Sequence, residues 1–492
     1  MEHADGGAQD GPPDTDTDSA QKLTIAEAAI RAAMGDAEMV ATGTGLTVEE
    51  INRDYAVVLV GGESKILREL DLGDGQASDA MELLSKAAFD LWMRPHQTVV
   101  HWRGGTKLVP SSAIWLSSPD RRQYRGIEFA PAAPGQDRGR DGYYNLWTGF
   151  RVAPDPAGAA KCQRFLDHVW ENVAQENGDL FDWVIGFFAQ MVQRPEVLPG
   201  VALVLRGRQG SGKSTVGDII GQLMPPHYVL ADQARYVSGQ FNAHLASCLL
   251  LQSDEAFWAG DKDAEGRLKG LVTGRVQMIE RKGVDPIKLT NHVRLMITTN
   301  HDWAVPAGLE ERRFAVLDVG DRHLQDKPYF AAIYRQMLEE GGLGGLLHYL
   351  LAFDLDSVDL GQVPDTGALY EQKLAGMTPE EKWWFNRLSD GTSTARAEDW
   401  LEEVPRSALQ ADYWSYVEKL GVRYKADPIA LGIKLKAMVP DIGEARRMMD
   451  VPEEGSAMAV RRRVWCYRLP PLSACRAAFA ARMRSDVPWG PE

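Results

Sequence analysis

At 492 residues, with 44% apolar and 25% charged side chains, the chain has the composition of a water-soluble protein of several domains, and no apolar run reaches the ~20 residues that a bilayer span needs. A net charge of −15 argues against a protein that coats nucleic acid over its whole surface and leaves local basic patches to decide any such contact. Four cysteines, Cys162, Cys248, Cys466 and Cys475, are too scattered for a zinc site or a disulfide framework. With no apolar signal segment at the start, they point to a cytoplasmic location.

Residues 1–20 are acidic and rich in Gly, Pro and Thr, which predicts a disordered tail. A small α+β module is expected over 21–155. In it, Tyr-Ala-Val-Val-Leu-Val from Tyr55 meets Gly61-Gly62 and then Lys65-Ile66-Leu67, the pattern of a hairpin. Its aromatics, Trp92, Trp102, Trp115, Tyr143, Tyr144, Trp147 and Phe150, read as the core of a domain short of regular structure or as base-stacking platforms. Over 156–198, apolar residues recur at helical spacing (Phe165, Val169, Phe181, Val184, Ile185, Phe188, Val192) with a break at Asn177-Gly178, predicting two helices.

A nucleotide site is expected in the next domain, 199–355. Gly207-Arg208-Gln209-Gly210-Ser211-Gly212-Lys213-Ser214 follows the apolar run from Val201 to Leu205 and precedes a helical run from Thr215, so it satisfies G-x-x-x-x-G-K-[ST] in the strand–loop–helix context the pattern requires. Backbone amides would cradle phosphates, Lys213 would reach the β and γ oxygens, and Ser214 would complete a Mg²⁺ shell. Cys248-Leu-Leu-Leu-Gln-Ser-Asp254-Glu255 supplies a strand ending in carboxylates, Asp254 for Mg²⁺ and Glu255 for the attacking water. The strand Val293 to Thr299 ends in Asn300, a candidate sensor of the γ-phosphate. Arg312 and Arg313, just before the apolar run from Phe314, are either a finger for a neighbouring subunit's nucleotide or surface partners of Glu310 and Glu311.

The packing of these four elements within 207–313 resembles a superfamily 3 helicase. Phe241-Asn242, Asp254-Glu-Ala-Phe-Trp-Ala-Gly-Asp261, Leu268-Lys269, Ile279-Glu-Arg-Lys-Gly283, Thr299-Asn300-His-Asp-Trp-Ala-Val-Pro306 and Glu311-Arg-Arg-Phe314 are similar to the helicase part of phage and plasmid primase-helicases related to the poxvirus type. That resemblance implies an α/β, AAA+-like core, a homo-hexameric ring with ATP between subunits, and single-stranded DNA in the channel. It places the DNA-contacting motif at 280–286, where Arg281 and Lys282 tip a hairpin and would track phosphates without reading bases. Arg313 matches the finger position best, with Arg312 in contention. The residues ahead of the helicase part carry no clear pattern of catalytic acids, so priming is not expected of this chain, and a separate primase or polymerase becomes a partner candidate. The alternative to unwinding is an ATP-switched origin-binding or assembly scaffold. A small-molecule kinase would leave the Lys282 hairpin and the arginine pair without a role.

An amphipathic helical stretch is expected to about residue 353, then a linker with helix over 356–400. Leu409, Tyr413, Tyr416, Val417 and Leu420 share one helix face, Asp427-Pro428 starts a second helix, and an alternating strand runs from Val464 to Leu469. A small winged-helix-like domain over 401–492 follows from this order. Its Lys434, Lys436, Arg446, Arg447 and Arg461 to Arg463 read as contacts to duplex origin DNA or as a solvated basic face.

Overall fold

The computed structural model describes residues 38–39, 45–70, 81–102, 105–239, 241–254, 262–281, 284–305, 307–423, 425–439, 441–452 and 459–489. The acidic tail over 1–20, Glu255 and Lys282 lie outside the described residues; Arg281 ends a strand, its side chain undescribed. By contacts the chain forms two units, one of Met1–Ala130, Asp137–Thr148 and Met278–Thr290, the other of Pro131–Gln136, Gly149–Gln277 and Asn291–Glu492.

In the first unit the expected hairpin is present. Strands Tyr55–Val60 and Glu63–Glu69 pair antiparallel around Gly61 and Gly62, whose positive φ of 59° and 86° is what a tight two-residue hairpin turn demands. Met81–Leu84 pairs with the second strand and Gln123–Tyr124 with the first. Alternate residues enter two cores. Tyr55 and Ile66 pack with Ile51, Phe89, Met93 and Trp115, while Ala56, Val58, Val60 and Leu67 pack with Met81. With core on both faces, Tyr55–Val60 reads as an apolar run instead of an alternating pattern, whereas Glu63–Glu69 buries only Ile66 and Leu67. Three helices, Val48–Asp54, Lys86–Trp92 and Ser111–Ser117, make the unit more regular than its Pro/Gly punctuation suggests. Trp115 is fully buried because its indole N–H donates to Asn52 Oδ1 at 2.8 Å. Trp92 is 58% exposed with the Arg68 guanidinium 4.9 Å from its ring centroid. Ile287, from the strand Val284–Thr290, packs against the second core.

The second unit is built on a parallel sheet. Its strands are β1 (Ala202–Arg206), β2 (Tyr228–Ala231), β3 (Leu250–Asp254), β4 (Arg294–Thr299) and β5 (Phe314–Asp318), in the spatial order β2-β3-β4-β1-β5. All four pairings are parallel. Parallel strands covered on both faces need apolar side chains throughout, and Leu203, Val204, Leu205, Leu250, Leu251, Met296, Ile297, Ala315 and Val316 are all buried. Because β1 lies between β4 and β5 while the chain runs from β1 out to β2, the strand order switches at β1. A crevice at the carboxyl ends of the strands is expected there.

Helices α1 (Ala159–His168), extended by a π-helical turn Val169–Val173, and α2 (Gly178–Gln193) match the expected pair and its break at Asn177, which caps α2 by accepting from Leu180 N. Helix α3 (Lys213–Gly221) follows β1. Beyond β5 the expected single helical stretch is two helices, α4 (Lys327–Leu338) and Gly342–Ala352, split at Gly341 with φ 83°. A left-handed residue cannot continue a right-handed helix.

The C-terminal part has a three-stranded antiparallel sheet, Glu403–Pro405, Ala459–Arg468 and Gly443–Pro452, the 459–468 strand lying between the other two. Helices Pro379–Asp390, Arg406–Lys419, Pro428–Met438 and Leu472–Met483 bury Trp383, Trp384, Tyr413, Leu435 and Phe479 in one core with it. Asp427 caps the helix it was expected to start, accepting from Ile429 N and Ala430 N. Of the basic candidates, Lys434 pairs with Glu380 at 2.8 Å, Lys436 with Glu444 at 2.8 Å and Arg447 with Glu403 at 2.7 Å. Arg446 lies over the Trp465 ring at 4.9 Å.

Candidate functional site

The segment from Gly207 to Gly212 leaves the carboxyl end of β1 at the switch point and enters α3. Its root is pinned to both neighbouring strands. Gly207 N donates to Thr299 O at 3.1 Å, and Val319 N donates to Arg206 O at 2.7 Å. Gly210 and Gly212 hold φ of 86° and 88°, left-handed values that side chains resist. A Cβ on Gly212 would also lie 2.5 Å from His168 Cε1 and from Phe330 Cε1. Gly212 caps α3, so the loop delivers the unsatisfied amides of a helix N-terminus, a natural anion site. Lys213 is buried on the first turn, its Nζ donating to Gly207 O at 2.7 Å and Arg208 O at 2.8 Å.

Across from the loop, Asp254 ends β3 beside Thr298 of β4 in the pairing register. Thr298 Oγ1 donates to Asp254 Oδ1 at 2.7 Å, and Ser214 Oγ to Asp254 Oδ2 at 3.4 Å. A hydroxyl and a carboxylate oxygen at this spacing are the hard donors that suit Mg²⁺. Asn300 follows β4. Together with Gln209, Gly210, Gly212, Lys213, Ser214, Thr215 and Asp254 it lines one cavity of about 530 Å³.

The other candidates lie elsewhere. Arg208 is turned outward, 3.3 Å from Asp321, and Ser211 is buried with no partner for its hydroxyl among the described residues. Arg312 and Arg313 are not brought to the cavity of their own chain. Arg313 O accepts from Ala202 N at the start of β1, so the length of a five-residue strand, roughly 16 Å, separates it from the loop. Its guanidinium is 3.3 Å from Glu311, which Lys269 also approaches at 3.6 Å. Arg312 is exposed, its backbone N donating to Glu311 Oε1 at 3.0 Å.

Sequence reading missed part of the cavity wall. Asp218, Gln325, Lys327 and Phe330 line it as well. Asp218 stands one turn after Ser214 and accepts from Tyr228 Oη at 2.9 Å and Tyr334 Oη at 3.1 Å, and burial raises its pKa above the usual carboxylate range. Behind the loop, His168 Nε2 is 3.1 Å from Gly212 O and Asn172 Nδ2 donates to Ser211 O at 3.1 Å. Burial pushes His168 down to about 4, so its ring is neutral. The signal available in the sequence was two polar residues, i and i+4, on the helix face that also carries Phe165 and Val169.

Fold and cavity together define a parallel α/β protein with an anion-suited loop at the switch point of its sheet. A family model described as a family of unknown function (DUF5906) matches residues 205–313, the loop and the strands around it. Among curated proteins the chain is 22% identical over 236 residues to the DNA primase-polymerase of Nitratiruptor phage NrS-1, a match covering 45% of this chain and 32% of the phage protein. Two solved apo structures of the NrS-1 C-terminal region are similar with TM-scores of 0.52 and 0.53, each at 16% identity over 76% of this chain, covering 94% and 95% of theirs. At that identity the likeness is one of fold.

Proposed function

We propose that this chain is a Mg²⁺- and ATP-dependent DNA helicase of the superfamily 3 type, working as a hexameric ring on single-stranded DNA in phage replication. The observation that carries the reading is a division of the site. Lys213, Ser214, Asp254 and Asn300 converge on one cavity, whereas Arg313 stands at the far end of β1, where it can serve a neighbouring copy's nucleotide but not its own. Ser214 and Asp254 are the residues that would hold Mg²⁺, which supplies charge neutralisation at the β and γ oxygens when bound. Lys213 would exchange its two loop carbonyls for phosphate oxygens, and Asn300 would orient water from the end of β4. Similarity to the NrS-1 protein supports the setting in phage DNA replication. The synthesis activities in that relative's name are not assigned to this chain.

The test is ATP hydrolysis and strand separation by the purified chain with and without single-stranded DNA. Stimulation by DNA, loss of hydrolysis in Lys213→Ala and ATP-dependent unwinding are expected. Hydrolysis indifferent to single-stranded DNA refutes translocation. Duplex binding without strand separation makes the chain an ATP-switched scaffold instead.

A further inference from the structure

The outer wall of the loop is held by side chains from α1 and its π-helical extension. Asn172 Nδ2 donates to Ser211 O at 3.1 Å, and His168 Nε2 is 3.1 Å from Gly212 O. Both residues are wholly buried and lie about 40 residues upstream of the carbonyls they meet, on an element the nucleotide motif does not include. The π-helical turn widens the helix here, a departure from α geometry often found where a helix is fitted to a functional site.

We propose that His168 and Asn172 are positioning residues of the phosphate loop, holding its peptide planes in the orientation that presents amides to a nucleotide's phosphates. In a trans peptide the N–H points opposite to the C=O of the same plane. Fixing Ser211 O and Gly212 O against α1 therefore turns the amides of Gly212 and Lys213 to the other side, and the cavity lined by Gly212 and Lys213 lies there. The tautomer follows from the partners. Nε2 carries the proton and donates to the carbonyl, while Nδ1 accepts from Tyr329 Oη at 3.4 Å. Tyr329 is in turn stacked on His323, ring centroids 3.7 Å apart, and His323 contacts Glu171 at 3.3 Å. This chain of contacts ties α1 and α4 together behind the loop. Phe330 of α4 closes the same wall against Gly212. Pre-set amides need no reorganisation when the phosphate arrives, so losing either donor weakens nucleotide binding more than it slows turnover.

The proposal rests on the phosphate-loop reading, and its test separates the two. In the full chain, ATP and ADP affinity, KM and kcat for ATP, and the melting temperature without nucleotide are compared for wild type, Lys213→Ala, His168→Ala, His168→Gln, Asn172→Ala and Asn172→Leu. His168→Gln keeps a donor near the Nε2 position, and Asn172→Leu keeps volume without a donor. The expected result is a loss of affinity and rise in KM of on the order of three- to tenfold in His168→Ala and in both Asn172 variants, with kcat little changed and recovery in His168→Gln. Affinities and KM within twofold of wild type in variants that melt normally overturn the positioning role while leaving the loop reading intact, provided Lys213→Ala abolishes binding. An equal loss in His168→Gln and His168→Ala, tracking a fall in melting temperature, reduces His168 to a packing residue and also overturns it. Failure of the wild-type chain to bind ATP overturns both readings.

Discussion

Arg294 opens β4 wholly buried and donates to uncharged acceptors. Its Nη1 donates to Pro195 O at 2.6 Å and His292 O at 2.8 Å, and its Nη2 to Arg194 O at 3.0 Å, Val197 O at 2.5 Å and Gln190 Oε1 at 3.1 Å. Several of these acceptors close α2, whose carboxyl end favours a cation. Burial pushes the guanidinium down to about 9, so it stays charged at neutral pH and staples the α2–β1 connection to the sheet. Arg294→Met is expected to lower unfolding stability by about 3–5 kcal/mol, read from urea midpoints. Two buried histidines contribute to the acid limb. His168 and His227 titrate at about 4 in the folded chain against ~6.5 when unfolded. Between those values the unfolded chain binds the extra protons, so stability present above pH 6.5 is lost as the pH falls toward 4. Each histidine then contributes a loss on the order of 2 kcal/mol at pH 5. His227→Gln, which keeps a donor for Ser247 O, is expected to flatten the difference between urea midpoints at pH 7 and pH 5.

Among the elements, the loop between β1 and α3 tolerates least. Gly212 combines left-handed φ with two aromatic side chains where a Cβ would stand. Gly212→Ala is expected to abolish nucleotide binding, measured by calorimetry, even where the apo chain folds. Strands Val276–Arg281 and Val284–Thr290 form a two-stranded sheet, and the expected basic tip between them, with Lys282, lies outside the described residues. A double Arg281→Ala/Lys282→Ala substitution is expected to weaken single-strand DNA affinity and to shrink its salt dependence, with ATP affinity unchanged. Fluorescence anisotropy across a salt series checks this, and an unaltered salt slope removes the hairpin from the DNA path. Element boundaries were legible where one local rule dominated. The Asp427 cap, the Gly61-Gly62 turn and the break at Asn177 are such cases. Strand Gly443–Pro452 was missed because its run of Arg and Met residues lacks β-branched character, and its partner Ala459–Arg468 supplies the pairing. Helix Val48–Asp54 was also missed, although Thr47 and Glu50 form a capping box that the sequence spells out.

For the whole molecule, the decisive prediction concerns sharing of the site between copies. Arg313→Ala is expected to retain ATP binding and lose hydrolysis by at least ~10³-fold, with assembly followed by sedimentation. Mixing Arg313→Ala with Lys213→Ala is expected to restore part of the hydrolysis, since some mixed interfaces combine an intact loop with an intact arginine. Complete inactivity of the mixture, with both variants shown to assemble together, refutes a finger acting across subunits.

The sequence by itself determined the phosphate-loop pattern, its flanking strand and helix, and the succession of apolar strands ending in Asp254 and Asn300, because each depends on local backbone geometry or on burial of a whole strand. Tertiary structure decided what those pieces face. It brought Thr298 onto Asp254, Asp218 and Phe330 into the cavity wall, and His168 and Asn172 behind the loop. It carried Arg313 to the opposite end of the sheet and grouped residues 278–290 with the first unit. Such contacts join residues from 39 positions apart, Asn172 and Ser211, to 111 apart, Ala202 and Arg313, and strand order, which sets them, leaves no periodic trace along the chain.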